Sequence, residues 1–214
     1  DPVLTRDNAA RLLAGGAVYA PYGGMDHYRV SVILEDLGVS PGSVGFHWSS
    51  GNVDALGAFN AGEVVVACAF GDRLEEIATD GGSALLDRSS QEALGLRVAD
   101  LVTTSAAFLE HRPEVVQAFL DHLERSNAGY RAQDGEVLAE IAGASGMETA
   151  DAERLLDGFR FPSLDEQSSG RWLGGALPEL SRRFMAFLAD RDIVPSSLDS
   201  YEAYFVTSAE LMGG

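Results

Sequence analysis

The distribution of apolar residues divides the chain into two halves of different character. In the first half, short apolar or β-branched runs occupy 17–20, 44–48, 64–70 and 98–104. The stretches between them have helical spacing, as in Val30, Ile33, Leu34 and Leu37 at positions i, i+3, i+4 and i+7. The run at 64–70 is apolar throughout, which is typical of a strand covered on both faces. This alternation predicts an α/β fold with an open, mainly parallel sheet and helices on both sides.

From Pro113 onward the sequence predicts helices and hardly a strand. Pro113 suits the first turn of a helix, and Ser163 and Glu166 have the spacing of a capping box. Further amphipathic helices are predicted at 134–143, 150–158 and 176–190. The apolar faces of such helices need a partner. Either these helices pack together as a helical subdomain, or the sheet that they cover lies outside this sequence.

Composition argues against several classes of function. The chain carries 33 acidic residues against 15 basic ones, all arginine, and a formal charge of −18. Nucleic-acid binding needs a dense positive surface, so it is not expected. No apolar run approaches the roughly 20 residues that cross a bilayer, so membrane insertion is not expected either. The single cysteine, Cys68, lies in an apolar run and predicts a buried hydrophobic residue rather than a reactive thiol or a metal ligand.

Several segments, in order along the chain, resemble one known family. They are AVYAPYGGMDHY at 17–28, LGVSPGSV at 37–44, FNAGEV at 59–64, FLEHRPEVV at 108–116 and YFVT at 204–207. Together they resemble the taurine and alkanesulfonate binding proteins that serve ABC importers. The segment that opens those proteins, and that supplies the first part of lobe one, has no counterpart here.

This resemblance implies a fold, a domain organisation and a role. The fold would be α/β and periplasmic-binding-protein-like (type II). Residues 1–105 would form an α/β ligand-binding lobe, and residues 106–214 the hinge return and the helical part of the second lobe. Such a protein captures a small organic solute between its lobes and delivers it to a membrane permease. The resemblance therefore implies a periplasmic or extracytoplasmic location, an ABC permease as partner and no cofactor.

The loop between the first strand and the first long helix is the first candidate for ligand binding, because ligands bind at strand ends and helix N-termini. Glycines there let the backbone approach a ligand closely. The resemblance implies hydroxyl side chains that hold a sulfonate, but this sequence has glycines, Met25 and an acidic residue instead. His27 and Tyr28 match the family's His-Tyr pair, as hydrogen-bond donors or as packed residues. The candidates from this loop are Tyr22, Gly23, Gly24, Met25, Asp26, His27 and Tyr28.

Four more candidates come from other strand ends. Asp100 resembles the family's strand carboxylate that receives a ligand amine, although Arg97 could pair with it instead. Phe70 and Asp72 occupy the family's hinge-strand end, and Trp48 would be either an aromatic wall or a core residue. Carboxylates beside aromatic rings suit a cationic ligand group through ion pairing and cation–π contact. We therefore expect a ligand with a cationic end, with taurine, which carries both charges, as the family default.

Two other classes of protein remain open. The sequence has no His-Glu-x-x-His and no Gly-x-x-x-x-Gly-Lys phosphate loop. A non-enzyme is therefore expected, and a pyrimidine-precursor biosynthesis enzyme of the same fold would need more than the isolated Cys68. A sensor or interaction module without a transport role is the other alternative.

Overall fold

The computed structural model describes residues 4–49, 55–69, 72–132 and 134–212. The chain forms two compact units: Asp1–Arg97 with Arg183–Leu198, and Val98–Arg182 with Asp199–Gly214. The predicted boundary at residue 105 differs from this division. Residues 98–105 belong to the second unit, and residues 183–198 belong to the first. Whether the units correspond to the two lobes of a binding protein stays a prediction.

The first unit contains a parallel sheet. Its elements are α1 (Arg6–Leu13), β1 (Ala17–Pro21), α2 (Met25–Asp36), β2 (Gly45–Ser49), α3 (Ala55–Asn60), β3 (Val66–Ala67), α4 (Asp72–Thr79) and α5 (Arg88–Ala93). The strand order is β2-β1-β3, and β1 pairs in parallel with both neighbours, with Val18 opposite Phe46 on one side and Val66 on the other. The predicted α/β fold with a parallel sheet is confirmed.

The core of this unit lies between β1 and the helices that flank it in sequence. Leu13 of α1, Val18 of β1 and Leu34 of α2 are fully buried. The spacing of Val30, Ile33 and Leu34 buries one face of α2, as a helix of period 3.6 requires. The helix ends at Asp36 with Leu37 as its C-cap, and Gly38 follows with a φ of 69°, the left-handed conformation that glycine adopts readily.

The second unit is helical within its described residues. It contains α6 (Ala106–His111), α7 (Pro113–Arg131), α8 (Gly135–Ser145), α9 (Thr149–Leu156), α10 (Leu164–Gln167), the start of α11 (Ala176–Ala189) and α12 (Ser208–Met212). Two predicted helix starts are confirmed. Pro113 opens α7, and the Ser163 hydroxyl accepts a hydrogen bond from the Glu166 amide at 3.2 Å.

Three predictions of local structure were wrong or incomplete. The β-branched stretch at 98–104 is not a strand, and its Val98 and Val102 side chains are 68% and 73% exposed. Strand propensity expresses itself only where a neighbouring strand and a buried face are available. Neither α1 nor the Asp87 cap of α5 was predicted from the sequence. Over the described ranges, no helix is long and apolar enough to cross a bilayer.

Candidate functional site

The sheet topology indicates where the first unit can bind a ligand. From β1 the chain passes through α2 to β2 on one side of β1, and later returns to β3 on its other side. The order of the strands therefore reverses at β1. In open parallel sheets, ligands bind outside the carboxyl ends of the strands at such a reversal. The turn that leaves β1 and begins α2, residues 21–24, lies at this point.

The turn at 21–24 presents backbone rather than side chains. The Gly24 amide donates to the Pro21 carbonyl at 3.2 Å, and Gly23 has a φ of 72°. Gly24 is the N-cap of α2, and no side chain caps the helix there. The amides in the first turn of this 12-residue helix have no carbonyl partner within the helix itself, so they are groups that a ligand oxygen could meet. Because the helix dipole places partial positive charge at this end, the position favours an anion.

His27 is buried beneath this turn. Its side chain is 5% exposed, and its Nδ1 accepts a hydrogen bond from the Gly23 amide at 3.3 Å. The proton of the neutral ring is therefore on Nε2. The ring centroid lies 5.3 Å from Tyr22, 5.7 Å from Phe46 and 4.9 Å from Phe187. Burial, and then the nearby Arg191 charge, lower the pKa of His27.

Tyr28 points into the core and Tyr22 outward. Tyr28 is 4% exposed and packs edge-on against Phe184 and Phe187, at 5.6 and 5.3 Å. Tyr22 is 51% exposed beside the turn. Of this pair, Tyr22 is the one positioned to touch a solute that approaches the turn.

Asp26 is paired within its own helix. Its carboxylate lies 3.3 Å from Arg29, and the other guanidinium nitrogen of Arg29 donates to the Gln91 side chain at 2.5 Å. The link between Arg29 and Gln91 was not predicted from the sequence. The ion pair offsets the negative charge that Asp26 would otherwise direct at an anion.

Cys68 follows β3 close to this ion pair. Its amide donates to the Tyr19 carbonyl at 3.2 Å. Burial raises the pKa of the thiol to about 12; the Asp26 charge adds to the shift and Arg29 opposes it. A thiol with this pKa carries almost no thiolate at neutral pH, although Cys68 is partly buried and not fully buried as the sequence predicted.

The remaining predicted site residues are distributed over both units. Met25 is the first residue of α2, and Asp72 is the first residue of α4. Trp48 pairs with Ala20 in the sheet, but its side chain, like that of Asp72, lies outside the described part. Phe70 lies outside the described residues. Asp100 is exposed in the second unit, in the segment that was predicted to be a strand.

One segment of the chain has the spacing of a catalytic serine motif. Residues 38–42 read Gly-Val-Ser-Pro-Gly, the spacing of a hydrolase nucleophile turn, which requires a serine between a strand and a helix. Here Ser40 follows α2 and precedes a short 3-10 turn at Pro41–Ser43, exposed to solvent. The context does not fit a nucleophile. In the part of the chain that the structure describes, no group of three or more His, Cys, Asp or Glu residues is placed to hold a metal ion.

Comparison with known proteins agrees with this fold. No family model and no curated protein matches the sequence. Among solved structures, the chain is similar to the periplasmic aliphatic sulphonate binding protein SsuA from Escherichia coli, with a TM-score of 0.67 and 17% identity. The match covers 94% of this chain and 61% of SsuA, so the chain spans less than two thirds of that protein. The fold is therefore the α/β fold of a periplasmic solute-binding protein, as the sequence predicted.

Proposed function

We propose that this chain is the binding component of an ABC importer and that it captures a small organic sulfonate. The observation that carries the proposal is the uncapped N-terminus of α2 at the reversal point of the sheet. A sulfonate has three oxygens that can accept from backbone amides, and its charge suits the positive end of a helix. In this role the turn residues Tyr22, Gly23 and Gly24 contact the ligand directly.

The ion pair between Asp26 and Arg29 supports an anionic ligand group. The sequence alone set three carboxylates, Asp26, Asp72 and Asp100, against aromatic rings, which suited a cation. Because Arg29 lies 3.3 Å from Asp26 and offsets its negative charge, Asp26 repels an anion at the turn less than an unpaired carboxylate would. If the ligand also carries an amine, as taurine does, its acceptor would be a carboxylate other than Asp26. Asp72 and Asp100 keep that role as predictions from the sequence.

The solved relative supports the transport part of the proposal. SsuA is described as a periplasmic aliphatic sulphonate binding protein, a binding protein and not an enzyme. By analogy of fold, we propose an extracytoplasmic location, a membrane permease as partner and no catalytic role. Trp48, in β2, and Phe70, a prediction from the sequence, would supply aromatic walls for the ligand's carbon chain.

Calorimetry with three probes tests the ligand class. Ethanesulfonate carries only the anion, choline only the cation, and taurine both charges. We expect ethanesulfonate and taurine to bind and choline not to bind. Binding of choline alone would contradict the proposal and favour the carboxylate reading of the site.

A charge change at the turn tests the proposed contact. Arg29→Gln leaves the Asp26 charge unpaired beside the α2 N-terminus, so the affinity for ethanesulfonate should fall by about tenfold, or about 1.4 kcal/mol. Adding Asp26→Asn removes the unpaired charge and should restore most of the affinity. Arg125→Gln, at an exposed position of α7, is the matched control and should leave the affinity unchanged. Equal losses in all three variants would contradict a local charge effect.

A further inference from the structure

Because of the hydrogen bond between Gly23 and His27, the conformation of the turn at 21–24 depends on the protonation state of the His27 ring. Nδ1 accepts the Gly23 amide proton at 3.3 Å, so it has no proton of its own. If Nδ1 becomes protonated, two N–H groups face each other and the hydrogen bond is lost. The amide of Gly23, in a residue with a φ of 72°, would then need another acceptor.

The surroundings of His27 also oppose a positive charge. Tyr22 of the turn, Phe46 of β2 and Phe187 of α11 surround the ring, and little water reaches it at 5% exposure. Among the described residues outside its own helix, Arg191 is a charged group that acts on the ring, and its guanidinium lies 3.7 Å above the Phe187 ring. On its own helix, Asp26 is already engaged by Arg29. A second cation beside Arg191 is therefore unfavourable in this environment.

The chain after α11 connects Arg191 with the same turn. Ile193 lies against Gly23, since its Cδ1 and Cγ2 atoms would be 3.4 Å from a side chain added there. Arg191 itself is held by a hydrogen bond to the Phe187 carbonyl at 3.1 Å. The turn, the histidine and the arginine thus form one packed cluster within the first unit.

We propose that protonation of His27 opens the turn at 21–24, so that ligand binding at this turn is lost as the surroundings become acidic. The inference rests on the proposed function for its effect on the ligand, but the opening of the turn is independent of it. In the neutral state the ring fixes the turn and the α2 N-terminus in the binding geometry. In the protonated state the ring moves out of the cluster, and the turn at 21–24 opens.

Nuclear magnetic resonance on the ligand-free protein tests the switch. His27 is titrated from pH 8 to 5 while the exchange protection of the Gly23 amide is followed. We expect the protection factor to fall by up to about tenfold per pH unit as the pH decreases from about 6.5, the pKa of an exposed histidine, toward the His27 midpoint, because one proton is coupled to the opening. A Gly23 amide whose protection is unchanged while His27 titrates would overturn the proposal.

Variants separate the switch from simple loss of packing. His27→Asn places a carboxamide oxygen near the position of Nδ1 but cannot titrate, so the Gly23 amide should stay protected down to pH 5. His122→Asn, at an exposed histidine of α7, is the control and should keep the pH dependence of the original protein. Arg191→Gln should move the midpoint to higher pH, whereas Arg191→Lys should leave it in place. If the His27 midpoint is the same in Arg191→Gln as in the original protein, the assigned role of Arg191 is contradicted.

Calorimetry distinguishes this inference from the proposed function. The sulfonate group of ethanesulfonate stays ionised throughout this pH range, so its own titration does not contribute. We expect its affinity to fall on acidification. An affinity that rises instead would mean that the imidazolium contacts the anion directly, and the switch would be refuted. If ethanesulfonate binds at no pH, the proposed function fails, and the resonance experiment still decides the switch.

Discussion

Leu34→Ala is the most direct test of the core that packs under α2 and so positions the turn at 21–24. Leu34 is fully buried on α2, in a cluster that also contains Leu13, Val18, Ala20 and Val30. The change removes three carbons, worth about 2.4 kcal/mol at about 0.8 kcal/mol per buried group. The cavity left behind adds to this cost, and measured Leu→Ala changes in cores span about 2–5 kcal/mol. We expect a loss of about 3 kcal/mol in the free energy of unfolding.

Urea denaturation followed by circular dichroism measures this loss. The matched control is Leu12→Ala, the same change on α1 at a side chain that is 38% exposed. Because that side chain is only partly buried, the change should cost about 1.5 kcal/mol, clearly less than Leu34→Ala. The reasoning would be refuted if Leu34→Ala cost less than about 1 kcal/mol, or if the two variants lost the same amount. Either result would mean that α2 does not pack on β1 as described.

Two further predictions concern titratable groups. Cys68, with a thiol pKa of about 12, should react with a disulfide reagent at pH 8 at least about a hundredfold more slowly in the folded protein than in urea, because the thiolate is the nucleophile; equal rates would contradict its burial. The pKa of His27 is lowered in the folded protein, so the unfolded chain binds a proton more readily than the folded one. The contribution of neutral His27 to the free energy of unfolding is therefore complete above about pH 6.5 and decreases as the pH falls toward the folded pKa. Urea midpoints between pH 8 and 5 should therefore fall more steeply for the original protein than for His27→Asn, and parallel profiles would contradict the assignment.

Local patterns predicted much of the first unit. Alternation in Val44, Phe46 and Trp48 indicated β2, and the stripe from Val30 to Leu37 indicated α2, because periodicity reflects which face of an element is buried. The stretch at 98–104 has the same β-branched composition and forms no strand. A β-branched segment forms a strand only where a neighbouring strand can pair with it. Whether such a strand lies beside it is decided by the tertiary structure and not by the composition of the segment.

The turn of the candidate site could be predicted from the sequence, but its contacts could not. A glycine-containing turn between a strand and a helix pointed to Gly23 and Gly24. The spacing of Asp26 and Arg29 allowed an i, i+3 ion pair. Gln91 and Arg191 could not be found in this way, because they lie 62 and 164 positions from their partners Arg29 and His27. No spacing rule reaches that far, so the sequence could not decide whether His27 faces a ligand or the core.

The geometry of the turn also defines where its specificity can be engineered. Gly23 is poorly suited to variation, because its positive φ strains any other residue and Ile193 lies 3.4 Å from an added side chain. Gly24 has the Pro21 carbonyl 3.3 Å from an added Cβ atom. Tyr22, half exposed beside them, carries neither restriction. A library of variants at this single position would sample new side-chain contacts with a solute while leaving intact the backbone that we propose as the anion site.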